Sequence, residues 1–278
     1  MYTGDYQICA FGQEVEYGVP VAPYSAIGIV TGGAVFEGTK VAEYFGPESN
    51  VISSQYYGLI ECGGVAHLIV QELSILNWAL QRPMISCTLD CGWVATPLRL
   101  FGSKVNSIDI VFESGGVVEA DISWISKQAT EGASFVWSPP DTPIWQVKYS
   151  ALLYNGVLFD EFERVNISVN NNLVPIYTAN RQNTIPRTLS RLAEGNYDAQ
   201  AIVEVYDKVI NPCREIVPLH GASGWQLQIS LEDVCAGRIA IFYVNNCFQS
   251  KVEEKFVPGD FVPTTFQLSG SNVTLEGT

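Results

Sequence analysis

The sequence predicts a mainly β fold, an antiparallel β-sandwich or barrel with one flanking α-helix, on three observations. Roughly ten short segments of alternating apolar and polar residues are separated by Gly, Pro and Asn turn signals. Two of those segments flank a Gly-Gly turn and form a clear hairpin. One stretch carries the three- and four-residue apolar spacing of a helix.

In chain order, residues 1–60 are punctuated by Gly12, Gly18, Pro20, Pro23, Gly28, Gly32-Gly33, Gly38 and Gly46-Pro47. Such punctuation breaks regular elements, so residues 1–60 are expected to be an extended arm and loops with short strands, and residues 61–278 the β domain. From Gly64 to Gln81, the apolar residues Val65, Leu68, Ile69, Leu73, Leu76 and Leu80 make a helical stripe, predicting a helix over 64–81 that Pro83 ends.

The hairpin follows. Ile108, Ile110 and Phe112 alternate with Ser107, Asp109 and Glu113; after Ser114-Gly115-Gly116, Val118, Ala120, Ile122 and Trp124 alternate with Glu119, Asp121 and Ser123. One face is therefore apolar. The other carries four carboxylates, Asp109, Glu113, Glu119 and Asp121.

Residues 126–144 form a Ser/Gly/Pro-rich link. Beyond it, Val147–Leu153 and Val157–Phe162 flank Asn155-Gly156, a strong two-residue turn signal. Arg164–Asn170 alternates again, and strands are expected at Tyr197–Tyr206, Trp225–Leu231, Arg238–Val244 and Phe261–Leu268.

Composition narrows the function class. Charged residues are only 16% against 47% hydrophobic, where an ordinary globular protein has roughly 25% charged. A weakly charged surface suits a subunit that buries its exterior against copies of itself. The net charge is −14, and residues 1–120 hold 12 acidic and 4 basic groups, so that segment contributes −8. No Lys/Arg cluster interleaved with aromatics occurs, which argues against a grip on nucleic acid.

No segment approaches the roughly 20 apolar residues of a membrane-spanning helix. Met1–Asp5 shows no basic or apolar leader, so cytoplasmic synthesis is the expectation. The cysteines, Cys9, Cys62, Cys87, Cys91, Cys213, Cys235 and Cys247, are odd in number and are expected to be buried free thiols.

The chemistry-bearing residues do not assemble into an active site. His67 falls in the helical stripe, and His220 sits in a loop with no acid or nucleophile signature beside it. Cys87-x-x-x-Cys91 lacks common zinc-ligand spacing, and no metalloprotease, nucleophile-elbow, phosphate-loop or dinucleotide pattern occurs. The expectation is no enzyme activity, no cofactor and no metal.

A family resemblance emerges from two blocks. Lys104–Ile110 with Gly115–Ile122 resembles the central hairpin of tail tube (major tail) proteins of long-tailed bacteriophages and archaeal viruses. Phe162–Leu173, ending in Asn171-Asn172-Leu173 and followed by Arg187, Leu192, Glu194-Gly195 and Asp198–Asp207, resembles that family's next segment. Here Pro186 precedes Arg187, whereas the family pattern has Arg-Pro. The resemblance covers about residues 60–210.

It implies a structural virion protein whose subunits close into hexameric rings. Stacked rings would form a hollow tail tube that conducts viral DNA without binding it specifically. The implied partners are copies of the chain and other tail proteins, the implied location is the virion tail, and Asp109, Glu113, Glu119 and Asp121 would face the lumen. Two other readings stay open: another structural β protein, such as a capsid or surface-filament subunit, and a carbohydrate-binding or glycan-cleaving β domain using some of the six tryptophans.

Overall fold

The computed structural model describes residues 7–22, 25–45, 52–93, 96–132, 144–154, 157–159, 162–177, 189–205, 225–233, 237–254 and 264–277. In chain order, strands β1 (Gln7–Gln13), β2 (Ser25–Ala26), β3 (Ile29–Phe45) and β4 (Ile52–Ile69) precede helix α1 (Leu73–Leu80). Then come β5 (Cys87–Trp93), β6 (Thr96–Glu113), β7 (Glu119–Ser126), β8 (Gln128–Glu131), β9 (Trp145–Tyr154) and β10 (Val157–Phe159). The remainder are β11 (Arg164–Asn170), β12 (Val174–Ile176), β13 (Arg191–Ala193), β14 (Asp198–Val205), β15 (Trp225–Asp233), β16 (Ile239–Glu254), β17 (Thr264–Gly270) and β18 (Asn272–Gly277).

Two long strands organise these elements by passing from one sheet into another. The first half of β6 pairs with β5 and β8, and its second half with β7 and β11. The first half of β16 pairs with β15 and β18, and Phe248–Glu254 pairs with β17. A central sheet therefore runs β3-β4-β7-β6-β11-β14-β17-β16, antiparallel throughout. A second sheet runs β10-β9-β15-β16-β18 and a third β2-β1-β5-β6-β8, while β12 and β13 pair apart. This is an open, layered β-sandwich, with no closed barrel among the described residues.

Period-two burial places the core. Ile108, Ile110, Phe112, Val165, Ile167, Val169, Ala201 and Val203 point to one side of the central sheet, and Leu227, Ile229, Ala240 and Phe242 meet them from the second. Phe112 and Phe242 touch across this layer, ring centroids 5.3 Å apart. At about 25 cal/mol per Å2 of apolar surface, this contiguous cluster supplies the main folding drive.

The helix is shorter than the sequence suggests. Only Leu73–Leu80 is helical, and residues 64–69 belong to β4. In that strand Cys62, Ala66 and Leu68 are buried while Val65 and His67 are exposed, a period of two that coincides with the helical spacing over a short window. Gly63-Gly64 costs a helix about 1 kcal/mol per glycine, and the partner strands β3 and β7 decide the outcome. Gln81, with φ −63° and ψ 138°, leaves the helix two residues before Pro83, as the proline signal requires.

The first 60 residues contain regular structure as well. β1 pairs with β5, and β3 with β4 forms a long hairpin whose second strand runs through residue 60 without a break. The half of β4 from Ile52 to Glu61 pairs only with β3 among the described residues. That hairpin end projects roughly 30 Å at about 3.3 Å per residue.

The cysteine expectation needs a correction. Cys9 and Cys91, directly opposite in the β1–β5 register with Cα atoms 4.1 Å apart, form a disulfide. Cys62, Cys87 and Cys247 are free and buried; burial pushes their thiols up to about 11, 12 and 11 respectively. Cys213, Cys235, His220 and the Asn155-Gly156 turn lie outside the described residues.

Candidate functional site

The outward face of the central sheet gathers the charged residues singled out from the hairpin. β6 and β7 pair so that Asp109 stands opposite Asp121 and Val111 opposite Glu119, while Gly116 N–H donates to Glu113 O at 2.9 Å to close the turn. Gly115, at φ +70°, makes this turn possible without strain. Asp109, Glu113, Glu119 and Asp121 are all exposed, and the residues alternating with them, from Ile108 to Trp124, are buried. All four predicted carboxylates therefore share one face.

The register extends this face beyond the hairpin. His67 of β4 lies opposite Asp121, and its Nδ1 meets Asp121 Oδ1. On the other side, Ser168 faces Asp109 and Arg164 faces Glu113; Gln200 and Glu204 of β14 then face Ser168 and Arg164. Asp198 continues the acidic series opposite Asn170. The face thus carries Asp109, Glu113, Glu119, Asp121, Asp198 and Glu204, with Arg164 opposite both Glu113 and Glu204. Hydrogen bonds tie it across strands, Ser107 to Ser123 at 2.7 Å and Gln267 Nε2 to Gln200 Oε1 at 2.9 Å, and along β14, Gln200 Nε2 to Asp198 Oδ2 at 3.2 Å.

Apolar side chains mark both margins of the same face. Phe36 (52% exposed) and Val65 (44%) stand at the β3–β4 margin, and Phe248 (53%) stands at the β16 margin. Among the described residues, β3 pairs only with β4 and Phe248–Glu254 only with β17, so each margin has an open edge. Because the sheet has eight strands and all neighbours are antiparallel, its two edge strands run in opposite directions.

The second block of the sequence, Asn171-Asn172-Leu173 with Glu194-Gly195, comes together as a structural bolt. Asn171 is fully buried; its Nδ2 donates to Val105 O at 2.9 Å and Ala79 O at 3.4 Å, and its Oδ1 accepts from Arg82. Asn172 takes the left-handed conformation, φ 46°, and its Nδ2 donates to Asn196 O at 2.6 Å. A side chain at Gly195 would collide with Asn172 O, so glycine is required there. Glu194 receives Met84 N–H at 3.0 Å, Lys104 Nζ at 3.2 Å and Arg82 Nη1 at 3.3 Å. Burial raises the Glu194 pKa, but the Lys104 bond and charge, the Met84 N–H and the Arg82 charge outweigh it and hold the carboxyl below its ordinary value. Arg187 lies outside the described residues.

Sequence reasoning missed that Arg164, Asp198 and Glu204 join the four hairpin acids. Their alternation in β11 and β14 was readable, but which strands neighbour β6 is a tertiary fact. Among the described residues, no group of three or more His, Cys, Asp or Glu side chains is placed to hold a metal ion. Nor is any described helix long and apolar enough to cross a membrane.

No family model matches the chain, and no curated protein matches it. Among solved structures, it is similar to a chain of the anti-feeding prophage baseplate, determined by cryo-EM with 6-fold symmetrisation. The two are 12% identical; the match covers 51% of this chain and 98% of that one, with a TM-score of 0.36.

Proposed function

We propose that this protein is a structural, non-enzymatic subunit of a viral tail tube, a virion component made in the host cytoplasm. Copies join into rings, hexameric by resemblance to tail tube proteins, and the rings stack on one another and on other tail proteins. The tube conducts viral DNA through a bore lined by Asp109, Glu113, Glu119 and Asp121 without specific binding.

The observation that carries this reading is the open central sheet with oppositely directed edges. An exposed edge strand is an aggregation liability unless something pairs with it. Setting β16 of one copy beside β3 of the next continues an antiparallel ladder, and repetition around an axis closes a head-to-tail ring with no edge left. The projecting half of the β3–β4 hairpin reaches beyond its own sheet and is available for a neighbouring ring. An acidic bore suits a conduit, since like charge keeps phosphates from adhering to the wall.

Negative-stain electron microscopy of the purified protein tests the proposal: rings or open-bored tubes are expected. A monomer that persists across a wide concentration range, solid fibres or closed shells would each overturn it.

A further inference from the structure

We propose that the cleft between helix α1 and strands β1 and β2 binds one neutral hexopyranose ring. The cleft measures 190 Å3. Three elements that the fold brings together supply its polar rim: Ser74, Asn77 and the C-cap Gln81 of α1, Gln13 of β1 and Ser25 of β2. Positions 74, 77 and 81 follow three- and four-residue steps, so the helix turns all three to one side. Gln13, Ser74, Asn77 and Gln81 are exposed and Ser25 is half-buried. None of these five side chains forms a hydrogen bond among the described residues, so all five are free to bond a ligand.

The floor is apolar and fixed. Phe11 stacks on Trp78 with ring centroids 6.1 Å apart, and the Trp78 indole N–H donates to Ile85 O at 3.0 Å, which holds the ring in place. Phe11 and Trp78 are each only 5% exposed, so the cleft meets a narrow apolar strip beside Ile85 and not an open aromatic face.

The lining defines the ligand chemistry. No charged side chain lines the cleft among the described residues, although the chain carries −14 overall. An ionised ligand would lose water there without gaining a counter-charge, and a wholly apolar one would strip water from the rim amides and hydroxyls without replacing it. A carboxamide offers a donor and an acceptor side by side, and a hydroxyl offers both on one atom, so the rim matches a molecule bearing several hydroxyls. A pyranose presents hydroxyls around its edge and C–H groups to the floor. Polar groups gathered from three elements around a compact space suit a compact ligand, whereas an extended peptide draws its main-chain bonds from one sheet edge. An apolar cavity of about 150 Å3 admits benzene, so 190 Å3 takes a single substituted six-membered ring. The site is built within one chain and does not rest on ring assembly.

Saturation-transfer difference NMR of the full-length protein with the methyl glycosides of glucose, galactose and mannose tests the site. Saturable binding of at least one of the three is expected. Cyclohexanol, which keeps the ring but only one hydroxyl, should bind at least about tenfold more weakly. Asn77→Ala, at an exposed helix position that alanine favours, and Gln81→Ala should each weaken the glycoside by about threefold to tenfold. Gln13→Ala, on β1, should do the same and is an independent check if a helix variant does not fold. No saturable binding of any of the three glycosides, equal affinity for cyclohexanol, or an affinity unchanged by all three substitutions would overturn the proposal. Tighter binding of N-acetyl-triglycine amide than of the glycosides would also overturn it, because the cleft would then be a peptide site. The readout is binding and not assembly, so a protein that forms tubes yet ignores these sugars sinks this inference and leaves the tube proposal standing.

Discussion

Asp109 and Asp121 stand directly opposite each other across the β6–β7 register, both exposed. Like charges facing across a strand pair repel, by about 0.2–1 kcal/mol. The cost is partly relieved because Asp121 also meets His67, whereas Asp109 faces only the neutral Ser168 on its far side. Asp109→Asn should therefore raise the stability of the unassembled chain by a few tenths of a kcal/mol, up to about 1. Urea unfolding with an unchanged m-value is the check; a lower midpoint would show that Asp109 makes a favourable contact that the register does not reveal.

Phe248 offers a probe of assembly that leaves the fold alone. It begins the half of β16 that has no second partner among the described residues, on the side of the sheet away from the core. Phe248→Glu adds a charge at that margin, the device by which natural sheets block edge pairing. Circular dichroism should be unchanged, while sedimentation should shift from large species to the single chain. Rings or tubes identical to those of the unsubstituted protein would place the contact elsewhere.

The sequence showed some of this clearly. Alternation on both sides of Gly115-Gly116 located the β6–β7 hairpin, its buried residues and its four exposed carboxylates, because period two and a turn signal agreed. Residues 1–60 were harder, since their glycines read as breakers. Gly32, Gly33 and Gly38 instead lie within β3, and a Cβ at Gly33 would meet Val65 O, a site of close backbone approach. Glycine that permits tight strand packing and glycine that ends a strand look alike without the partner. The false half of the helix had the same origin, since a strand buried on one side and a helix share apolar residues over five or six positions. The Cys9–Cys91 bond, separated by 82 residues, and the lateral growth of the acidic face across β11 and β14 depend on strand order, which no local pattern encodes.

The Asn171–Glu194 bolt predicts a large stability effect and a definite pH dependence. Asn171→Ala removes the partner of Val105 O, Ala79 O and Arg82 at a fully buried position. One or two unsatisfied buried groups correspond to a loss of about 2–4 kcal/mol. Glu194 adds the pH term. A carboxyl whose folded pKa lies below its unfolded one contributes stability above the ordinary value of 4.5, and that contribution fades as pH falls through the folded pKa. Between neutrality and pH 3, the stability gap between the unsubstituted protein and Glu194→Gln should therefore narrow. A gap that stays constant across that range would show that the charge of Glu194 is not what Lys104 and Arg82 hold.

The acidic face bears most directly on the proposed conduit. Replacing Asp109, Glu113, Glu119 and Asp121 together with lysine removes four negative and adds four positive charges per chain, taking the net charge from −14 to −6. All four side chains are exposed and the buried side of each strand is untouched, so the fold should persist. If the face lines a bore, the substitution converts a repulsive wall into one that neutralises phosphates, and DNA contact then releases counterions. Assembled variant tubes should retain DNA at low salt, release it steeply as salt rises, and eject it slowly or not at all, while tubes of the unsubstituted protein retain none. Retention must come from the lumen, so it should survive blocking of the outer surface and vanish when the tube ends are capped. A structure of the assembled tube with these four side chains on its outer wall or in the ring-to-ring contact would refute the assignment.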